Sequence, residues 1–211
     1  MGERKHDKLL GIRTVGLREW KDGHAQYNRY EPTPYKALDA LAENYKFRGI
    51  NRVVDFGSGR GRVAFYIHNR FQLPVTGIEA NCQTYEEALE NKAAYRLKAQ
   101  HIAAPIKFKY GLAQRYKIDK RDNCFYFFNP FSVHIFRKVI HNILRSVEKY
   151  RRTVDLIIYY PLQEYKDFLE TSTPFTIINK IRVPGASDKK EKIIIYRLNE
   201  EVFDTDECIN F

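Results

Sequence analysis

The chain has few cysteines and no long apolar run. Its three cysteines, Cys82, Cys124 and Cys208, are far apart in 211 residues and form no Cys-x-x-Cys pair, which argues against a zinc site or a disulfide framework. No window approaches about 18 consecutive apolar residues, so we expect no membrane span. The charged first residues lack a signal-peptide core, and His6 stands where a myristoylation signal needs Ser or Thr. These absences predict a cytoplasmic protein without a metal.

Familiar hydrolase and nucleotide-binding signatures are also missing. The sequence contains no Ser-His-Asp order, no His-Glu-x-x-His and no P-loop. His134 and His141 share a predicted helix face but are seven residues apart, too far to chelate a metal as an i,i+4 pair. His134 is one candidate proton acceptor, and a solvated or core histidine is the alternative.

Acidic residues are outnumbered by basic ones. The chain carries 36 Lys and Arg against 26 Asp and Glu, a formal net charge of +10. The last thirteen residues hold five acids and no Lys or Arg, which leaves +15 on residues 1–198. Such an excess favours a polyanionic partner, RNA or DNA. The run KYRR at 149–152, with Arg145, offers candidate phosphate contacts; a solvated helix end is the alternative.

From residue 51 onward, apolar runs alternate with helical patterns. Strands separated by helices indicate βαβ units and a parallel sheet. The last two strands are joined by PGASDKKE, which is too short for a crossover helix and therefore predicts an antiparallel hairpin. The predicted strands are residues 52–56, 74–79, 106–110, 124–128, 154–160, 174–183 and 192–198, and the predicted helices are residues 62–71, 82–101, 133–150 and 162–170. The expected fold is an α/β three-layer sandwich with a mostly parallel seven-stranded sheet ending in an antiparallel hairpin.

The region before residue 51 predicts one further helix. It begins near Thr33 and Pro34, with Thr33 as the N-cap and Pro34 at the first helical position. Residues 1–29 are polar, basic and weakly patterned, and we expect them to pack against the domain or to cap a site. With 44% hydrophobic residues the chain suits one domain.

The segment Val53–Arg62, VVDFGSGRGR, carries the strongest functional signal. A short apolar strand ends beside Asp55, glycines follow at positions 57, 59 and 61, and a helix-compatible run comes next. Glycines at such a turn let a ligand approach the backbone, and the helix start offers free N–H groups to an anionic or polar ligand group. The turn therefore predicts a nucleotide-like cofactor.

The pattern Asp55-x-Gly57-x-Gly59-x-Gly61 resembles the first motif of class I S-adenosylmethionine (SAM)-dependent methyltransferases. The resemblance implies that the turn, with Ser58, passes beside the methionine and ribose parts of SAM. It also implies that Asp55 contacts the methionine end or holds the loop. The implied domains are a SAM-binding domain over residues 33–198, an N-terminal extension over 1–32 that covers the acceptor pocket, and an acidic tail over 199–211.

Glu79, at the end of the second predicted strand, matches the acid that binds the ribose hydroxyls in that family. A carboxylate can accept two hydrogen bonds from a vicinal diol, but a dehydrogenase uses a similar acid. The glycine spacing separates the two cofactors, because a dinucleotide fingerprint needs Gly where this chain has Arg62. The adenine-binding acid of many relatives is missing near Leu112, and the backbone of Ala113 or the side chain of Gln114 would replace it.

The fourth predicted strand leads into Asn129-Pro130-Phe131, which resembles a shortened Asn-Pro-Pro-aromatic motif of amino-group methyltransferases. In those enzymes the Asn oxygen and a neighbouring carbonyl accept hydrogen bonds from the target amine, and the aromatic ring stacks on the target. Here Phe131 replaces either the second proline or the aromatic residue. The alternative is a strand end turned by Pro130, with Asn129 as an ordinary turn residue.

These patterns predict a SAM-dependent methyltransferase that modifies a nucleophile, nitrogen before carbon, on a macromolecule. Nucleic acid is favoured over a protein side chain. The alternative is a non-catalytic nucleic-acid-binding module with the same fold, and a nicotinamide oxidoreductase is disfavoured. Further candidates for lining the acceptor pocket are Tyr159, Tyr160 and Pro161 after the fifth strand, and Tyr27, Tyr30, Thr33 and Tyr35 before the domain.

Overall fold

Seven strands form one mixed sheet with helices on both faces. The computed structural model describes residues 2–19 and 26–200, so all but the first two residues of the acidic tail lie outside the described residues. The helices are α1 (Glu3–Leu10), α2 (Tyr35–Asn44), α3 (Arg62–Phe71), α4 (Cys82–Lys98), α5 (Val133–Lys149) and α6 (Gln163–Ser172), with a short 3-10 helix at Ala113–Arg115. The strands are β1 (Val53–Phe56), β2 (Val75–Glu79), β3 (Ile106–Tyr110), β4 (Cys124–Phe127), β5 (Val154–Tyr159), β6 (Thr176–Arg182) and β7 (Lys192–Leu198).

The sheet order is β3-β2-β1-β4-β5-β7-β6. The first five strands in this order pair in parallel, and β7 pairs antiparallel with both β5 and β6. The predicted fold class, including the closing hairpin, is confirmed. The chain reverses its direction of growth between β1 and β4, and the carboxyl ends of these two strands are where open α/β sheets bind ligands.

Two apolar cores cover the two faces of the sheet. One packs α2, α3 and α4 against the sheet, and the other packs α5 and α6 against the opposite face. Strands β4 and β5 are buried along their whole length, as continuous apolar runs in central parallel strands predict. Within the described part of the chain, no helix has both the length and the apolar character to cross a bilayer.

Two local features of the N-terminal region differ from the prediction. Residues 3–10 form α1, although the sequence showed no clear helical pattern there. Helix α2 has Pro34 as its N-cap, without a side-chain cap, because the Thr33 hydroxyl shares a hydrogen bond of 3.0 Å with the Tyr126 hydroxyl. The amide of Tyr35 donates to the Glu3 carboxylate instead, at 3.1 Å. A tertiary contact thus replaces the expected local cap.

Candidate active site

The glycine turn joins β1 to α3 and is fixed from both sides. The amides of Gly57 and Ser58 donate to the carbonyl of Ile78 on β2, at 2.9 and 3.1 Å. Gly57 has φ +73° and Gly59 has φ +55°, and added Cβ atoms would stand 2.4 Å from Pro130 Cβ and 2.3 Å from the Tyr30 ring. Both positions therefore require glycine, for backbone conformation and for space. Gly61 is the buried N-cap residue of α3.

Asp55 lies inside the sheet just before this turn, and its side chain is 2% exposed. Its Oδ2 atom has no hydrogen-bond partner among the described residues, and the same holds for the buried Oγ of Ser58. Burial, and then the charge of Glu79, raise the pKa of Asp55 to about 8. A buried acceptor without a donor costs folding free energy, so this pair of oxygens indicates a place for a donor from a ligand.

Glu79 ends β2 and faces the turn. Its Oε2 accepts a hydrogen bond from the amide of Gly59 at 2.8 Å, and its Oε1 accepts one from the amide of Asn81 at 2.7 Å. Burial raises the pKa of Glu79, and the backbone donors oppose that shift. Each carboxylate oxygen has a second lone pair, so Glu79 can hold the turn and still accept from a ligand hydroxyl.

Asn129 follows β4 in a left-handed backbone conformation, φ +39°. Its carbonyl accepts from the Asn28 side chain at 2.7 Å, whereas its buried Oδ1 has no partner in the described part of the chain. Pro130 packs against Gly57. The turn after β4 therefore stands directly beside the glycine turn, with one amide oxygen unused.

The position of Phe131 differs from the expectation that its ring stacks on a target. Its ring is fully buried in the core under α5 and contacts the ring of Phe127 edge-on. Among the aromatic residues that line the cavity is Phe128, which is half-buried and packs edge-on against Tyr159 at a centroid distance of 4.6 Å. Tyr126 and Phe128 are two residues apart and both line the cavity, whereas Phe131 follows the turn at Asn129 and Pro130 and packs in the core beside Phe127.

The N-terminal segment Gln26–Thr33, named the cover segment below, lies over both turns. The amide of Asn28 donates to the carbonyl of Pro130 at 3.1 Å, and the amide of Ser132 donates to the carbonyl of Gln26 at 2.8 Å. Further along, the Tyr30 ring lies on Gly59. The cover segment thus binds the turn after β4 at one end and the glycine turn at the other.

Arg60 in the glycine turn and Arg62 at the start of α3 bond the N-terminal residues, including the last residue of the cover segment. Arg62 is 3% exposed and donates to the Thr14 hydroxyl at 2.7 Å, to the carbonyl of Thr33 at 3.1 Å and to Glu3. Arg60 donates to the carbonyl of Val15 at 3.0 Å. In the sequence, Arg62 serves only to disfavour a dinucleotide, and its structural role is not predictable there because its partners are distant in the chain.

The 3-10 helix after β3 contains the predicted adenine neighbourhood. Ala113 is buried and lines the same cavity as Asp55. The Gln114 side-chain oxygen accepts a hydrogen bond from the Tyr27 hydroxyl at 2.7 Å. The Tyr27 hydroxyl also bonds the backbone of Ala113, so both suggested substitutes for the missing acid contact Tyr27 and the structure favours neither over the other.

A cavity of about 60 Å³ lies between the cover segment and the two turns. The Tyr30 ring and Pro130 bound this cavity beside the glycine turn. Residues that line the cavity include Tyr30, Thr33, Asp55, Ser58, Tyr126 and Phe128.

The remaining sequence candidates lie elsewhere. Tyr159 and Tyr160 bond Glu191 and Asp188 through their hydroxyls and, like Pro161, do not line the cavity. Tyr35 is buried and donates to Asp7 at 2.7 Å. Arg152 is buried and donates to the carbonyls of Asp122, Ser146 and Tyr150. It therefore caps the C-terminal end of α5 and is not available to contact a phosphate. His134 and His141 are exposed on α5.

The sheet order and the glycine turn define the class of fold: this is the fold of class I SAM-dependent methyltransferases, as the motif predicted. No protein-family model and no curated protein sequence matches the chain. Similarity to solved structures is clear in fold and low in sequence.

Three solved structures illustrate this similarity. A Pyrococcus horikoshii protein proposed to be an RNA methyltransferase is 18% identical, with 92% of this chain and 97% of that chain covered and a TM-score of 0.55. An RNA methyltransferase from Salinibacter ruber, solved with S-adenosylhomocysteine (SAH), is 17% identical, with 79% and 92% covered and a TM-score of 0.53. A Pyrococcus abyssi tRNA (uracil-54, C5)-methyltransferase is 11% identical, with a TM-score of 0.54. The similarity covers 80% of this chain and 40% of that chain.

Proposed function

We propose that this protein transfers a methyl group from SAM to a nitrogen atom of a nucleic acid. The observation that carries the proposal is a set of buried oxygens, at the carboxyl ends of two neighbouring strands, that have no hydrogen-bond partner among the described residues. Asp55 and Ser58 supply two of them at β1, and Asn129 supplies one after β4. The oxygens of Asp55 and Ser58 suit an ammonium or hydroxyl group of a cofactor, and the oxygen of Asn129 suits an acceptor amine.

The described residues fit SAM by the chemistry of their donors and acceptors. Asp55 would hold its ammonium group, Glu79 its ribose hydroxyls, and the backbone near Ala113 its adenine. Gly57 makes room for Pro130 and Gly59 for the Tyr30 ring, so SAM would reach the backbone at Gly59 after that ring moves aside. When bound, SAM supplies a methyl group on a sulfonium, which a neutral nitrogen can attack.

Asn129 would orient the acceptor. Its Oδ1 accepts a hydrogen bond from the target amine, so the nitrogen lone pair is directed to the methyl group. No strong base is required before transfer, because the thioether is a good leaving group and the product loses its proton afterwards. Most of the acceleration would come from this alignment. Phe128, and not Phe131, supplies the aromatic surface beside it.

The proposed acceptor class is supported by charge and by the neighbours. Residues 1–198 carry an excess of fifteen positive charges, which favours a polyanion. Two of the similar structures are named as RNA methyltransferases and one as a proposed one. One of these acts on a carbon of uracil, so the choice of nitrogen depends on Asn129.

Calorimetric titration tests the cofactor, and a labelled-methyl screen tests the acceptor. The protein should bind SAH and not NADH, and Asp55→Ala and Glu79→Ala should each abolish SAH binding. With radiolabelled SAM, label should enter RNA or DNA fractions before protein fractions. Unchanged SAH affinity in both variants would refute the assigned site, and label found only in protein would refute the acceptor.

A further inference from the structure

Exposed cations gather along one edge of the sheet, on the side covered by α5. Between Ile106 and Arg121 the chain has six Lys and Arg and one acid. That acid, Asp119, pairs with Arg52 and Arg121. The other cations of this stretch are therefore not neutralised by it. We define the basic strip by six exposed residues, Lys107, Lys109, Arg115, Lys117, Lys138 and Arg145.

The strip is continuous because three elements meet there. Lys109 on the edge strand β3 lies over the Tyr116 ring, 5.0 Å from its centroid. Asn142 of α5 donates to the carbonyl of Gln114 at 2.9 Å, which joins α5 to the 3-10 helix that contains Arg115. Lys138 and Arg145 are four residues before and three after Asn142, so they share its helix face.

A hollow in this surface opens next to the candidate active site. Its volume is about 520 Å³, and Ile78, Ala80 and Gly111 line both this hollow and the smaller cavity of the site. The Tyr110 side chain, 59% exposed, lies at its rim with its ring against that of Tyr85. An exposed aromatic ring beside cations is the combination that binds a base and its phosphate.

The strip also leads to the turn after β4. Gln114, the neighbour of Arg115, bonds Tyr27, and Tyr27 forms an isolated bridge with Phe131, two residues from Asn129. We infer that the basic strip and Tyr110 bind a single-stranded polynucleotide and deliver it to Asn129. The delivery to Asn129 rests on the proposed function. The binding surface itself is inferred from the charge and exposure of its residues. A duplex offers phosphates but no free base for Tyr110, so a single strand is the occupant that uses both features.

Fluorescence anisotropy with labelled single strands tests the inference without any cofactor. The strip variant is Lys107→Glu/Lys117→Glu/Arg145→Glu. The control is Lys180→Glu/Arg182→Glu/Lys189→Glu, on β6 at the opposite edge of the sheet and in its hairpin, where all three residues are exposed. Both variants change the net charge equally. The strip variant should bind at least tenfold more weakly, with a salt-dependence slope smaller by about 2, because each lost phosphate contact removes about 0.7.

The control variant should stay within about threefold of the wild type. Equal losses in the two triple variants would overturn the inference, because net charge alone would explain them. Tyr110→Ala should weaken single-strand binding and leave duplex binding unchanged; tighter binding of a duplex, or of an acidic protein, would also overturn it. RNA and DNA probes of the same sequence distinguish the two sources of a single strand. Lys117→Glu/Arg145→Glu replaces the triple variant if melting shows that the triple variant does not fold.

SAH titration of the same proteins separates this inference from the proposed function. Strip variants should bind SAH as the wild type does, since none of the three substituted residues lines the small cavity. A protein that binds single strands through the strip but never binds SAH refutes the proposed methyl transfer alone. A protein that binds SAH but no single strand refutes the strip alone.

Discussion

The ring of Tyr30 lies so close to Gly59 that a Cβ at position 59 would stand 2.3 Å from two of its carbons. The Arg60 guanidinium stands over the same ring, 5.0 Å from its centroid, and the Tyr30 hydroxyl donates to the carbonyl of Thr14. The ring thus occupies the space above the turn that the proposed cofactor requires. We therefore expect the Tyr30 ring to move aside when the proposed cofactor binds.

We expect Tyr30→Ala to speed the association of SAH by about tenfold, because a closed state that dominates lowers the apparent rate and affinity in proportion to the open fraction. Stopped-flow fluorescence measures that rate. Tyr150→Ala, which removes an exposed ring at the end of α5, is the matched control and should have no effect. An association rate that is unchanged or lower in Tyr30→Ala would show that the ring does not block entry.

Much of this architecture was predictable because the strands, helices and turns depend on residues that are close together in the sequence. The alternation of apolar runs and helical segments predicted the seven strands, and the short PGASDKKE connection predicted the hairpin. The glycine turn was predictable for the same reason, since Asp55, Gly57 and Gly59 are adjacent in sequence and their conformational demands are local. Glu79 could be placed because strand ends meet at one edge of a parallel sheet.

The features that could not be predicted from the sequence depend on contacts between residues that are far apart in the chain. Thr33 has the right identity for an N-cap, but its hydroxyl is used by Tyr126, and Glu3 serves α2 from 32 residues away. Phe131 was a reasonable candidate for stacking, but it follows the turn after β4 and its ring is buried in the core under α5. Such tertiary contacts override local preference. Phe128 could have been found by counting two residues from Tyr126, which pairs in register with Asp55.

The pKa of Asp55 predicts a pH dependence of stability. The folded pKa, about 8, lies above the value of an unfolded Asp, so the folded state keeps a proton that the unfolded state loses. Between about pH 4 and 8, the free energy of unfolding should therefore fall by about 1.4 kcal/mol per pH unit from this group. Asp55→Asn lacks this contribution, so its stability relative to the wild type should rise with pH.

Urea unfolding of both proteins at pH 5, 6, 7 and 8 measures the difference. Parallel pH curves would mean that Asp55 is already ionised in the folded protein. A second measurement follows from the proposed cofactor. When an ammonium group pairs with Asp55 at pH 7, the Asp55 carboxyl group should lose its proton to the buffer. The enthalpy of SAH binding should then vary with the ionisation enthalpy of the buffer.

Replacing Glu79 by Gln should loosen the glycine turn. The carboxylate accepts from the amides of Gly59 and Asn81, and a Gln side chain would place an NH2 group against one of them. The resulting unpaired donors should cost about 1–3 kcal/mol of unfolding free energy, measured by urea unfolding. A Glu79→Gln protein as stable as the wild type would contradict this arrangement.

Ligand variation separates the support of the turn from direct contact with the cofactor. If Glu79 also accepts from the ribose, 2′-deoxy-SAH should bind the wild type more weakly than SAH, with a smaller difference in Glu79→Gln. An equal difference in both proteins would mean that Glu79 acts only on the turn. The comparison needs no knowledge of the methyl acceptor.

Asn129 allows a test in which the side chain is removed without disturbing the backbone. At φ +39°, Ala would add about 1–2 kcal/mol of strain, whereas Gly adopts this conformation readily. Asn129→Gly should therefore fold and bind SAH like the wild type. Its rate of methyl incorporation, measured with labelled SAM and the most active nucleic-acid fraction, should fall by about 100-fold, because the acceptor amine loses its orientation.

Asn129→Asp is the informative partner of this variant. Asp keeps an oxygen acceptor of the same reach and tolerates a positive φ, so it should retain more activity than Gly. Its burial, however, favours the protonated form at low pH. Methyl transfer by Asn129→Asp should then rise with pH relative to the wild type, as the side chain regains its two acceptor oxygens. Turnover of Asn129→Gly within threefold of the wild type would show instead that the Asn129 side chain takes no part in the reaction, and that the turn after β4 only supports the glycine turn through Pro130.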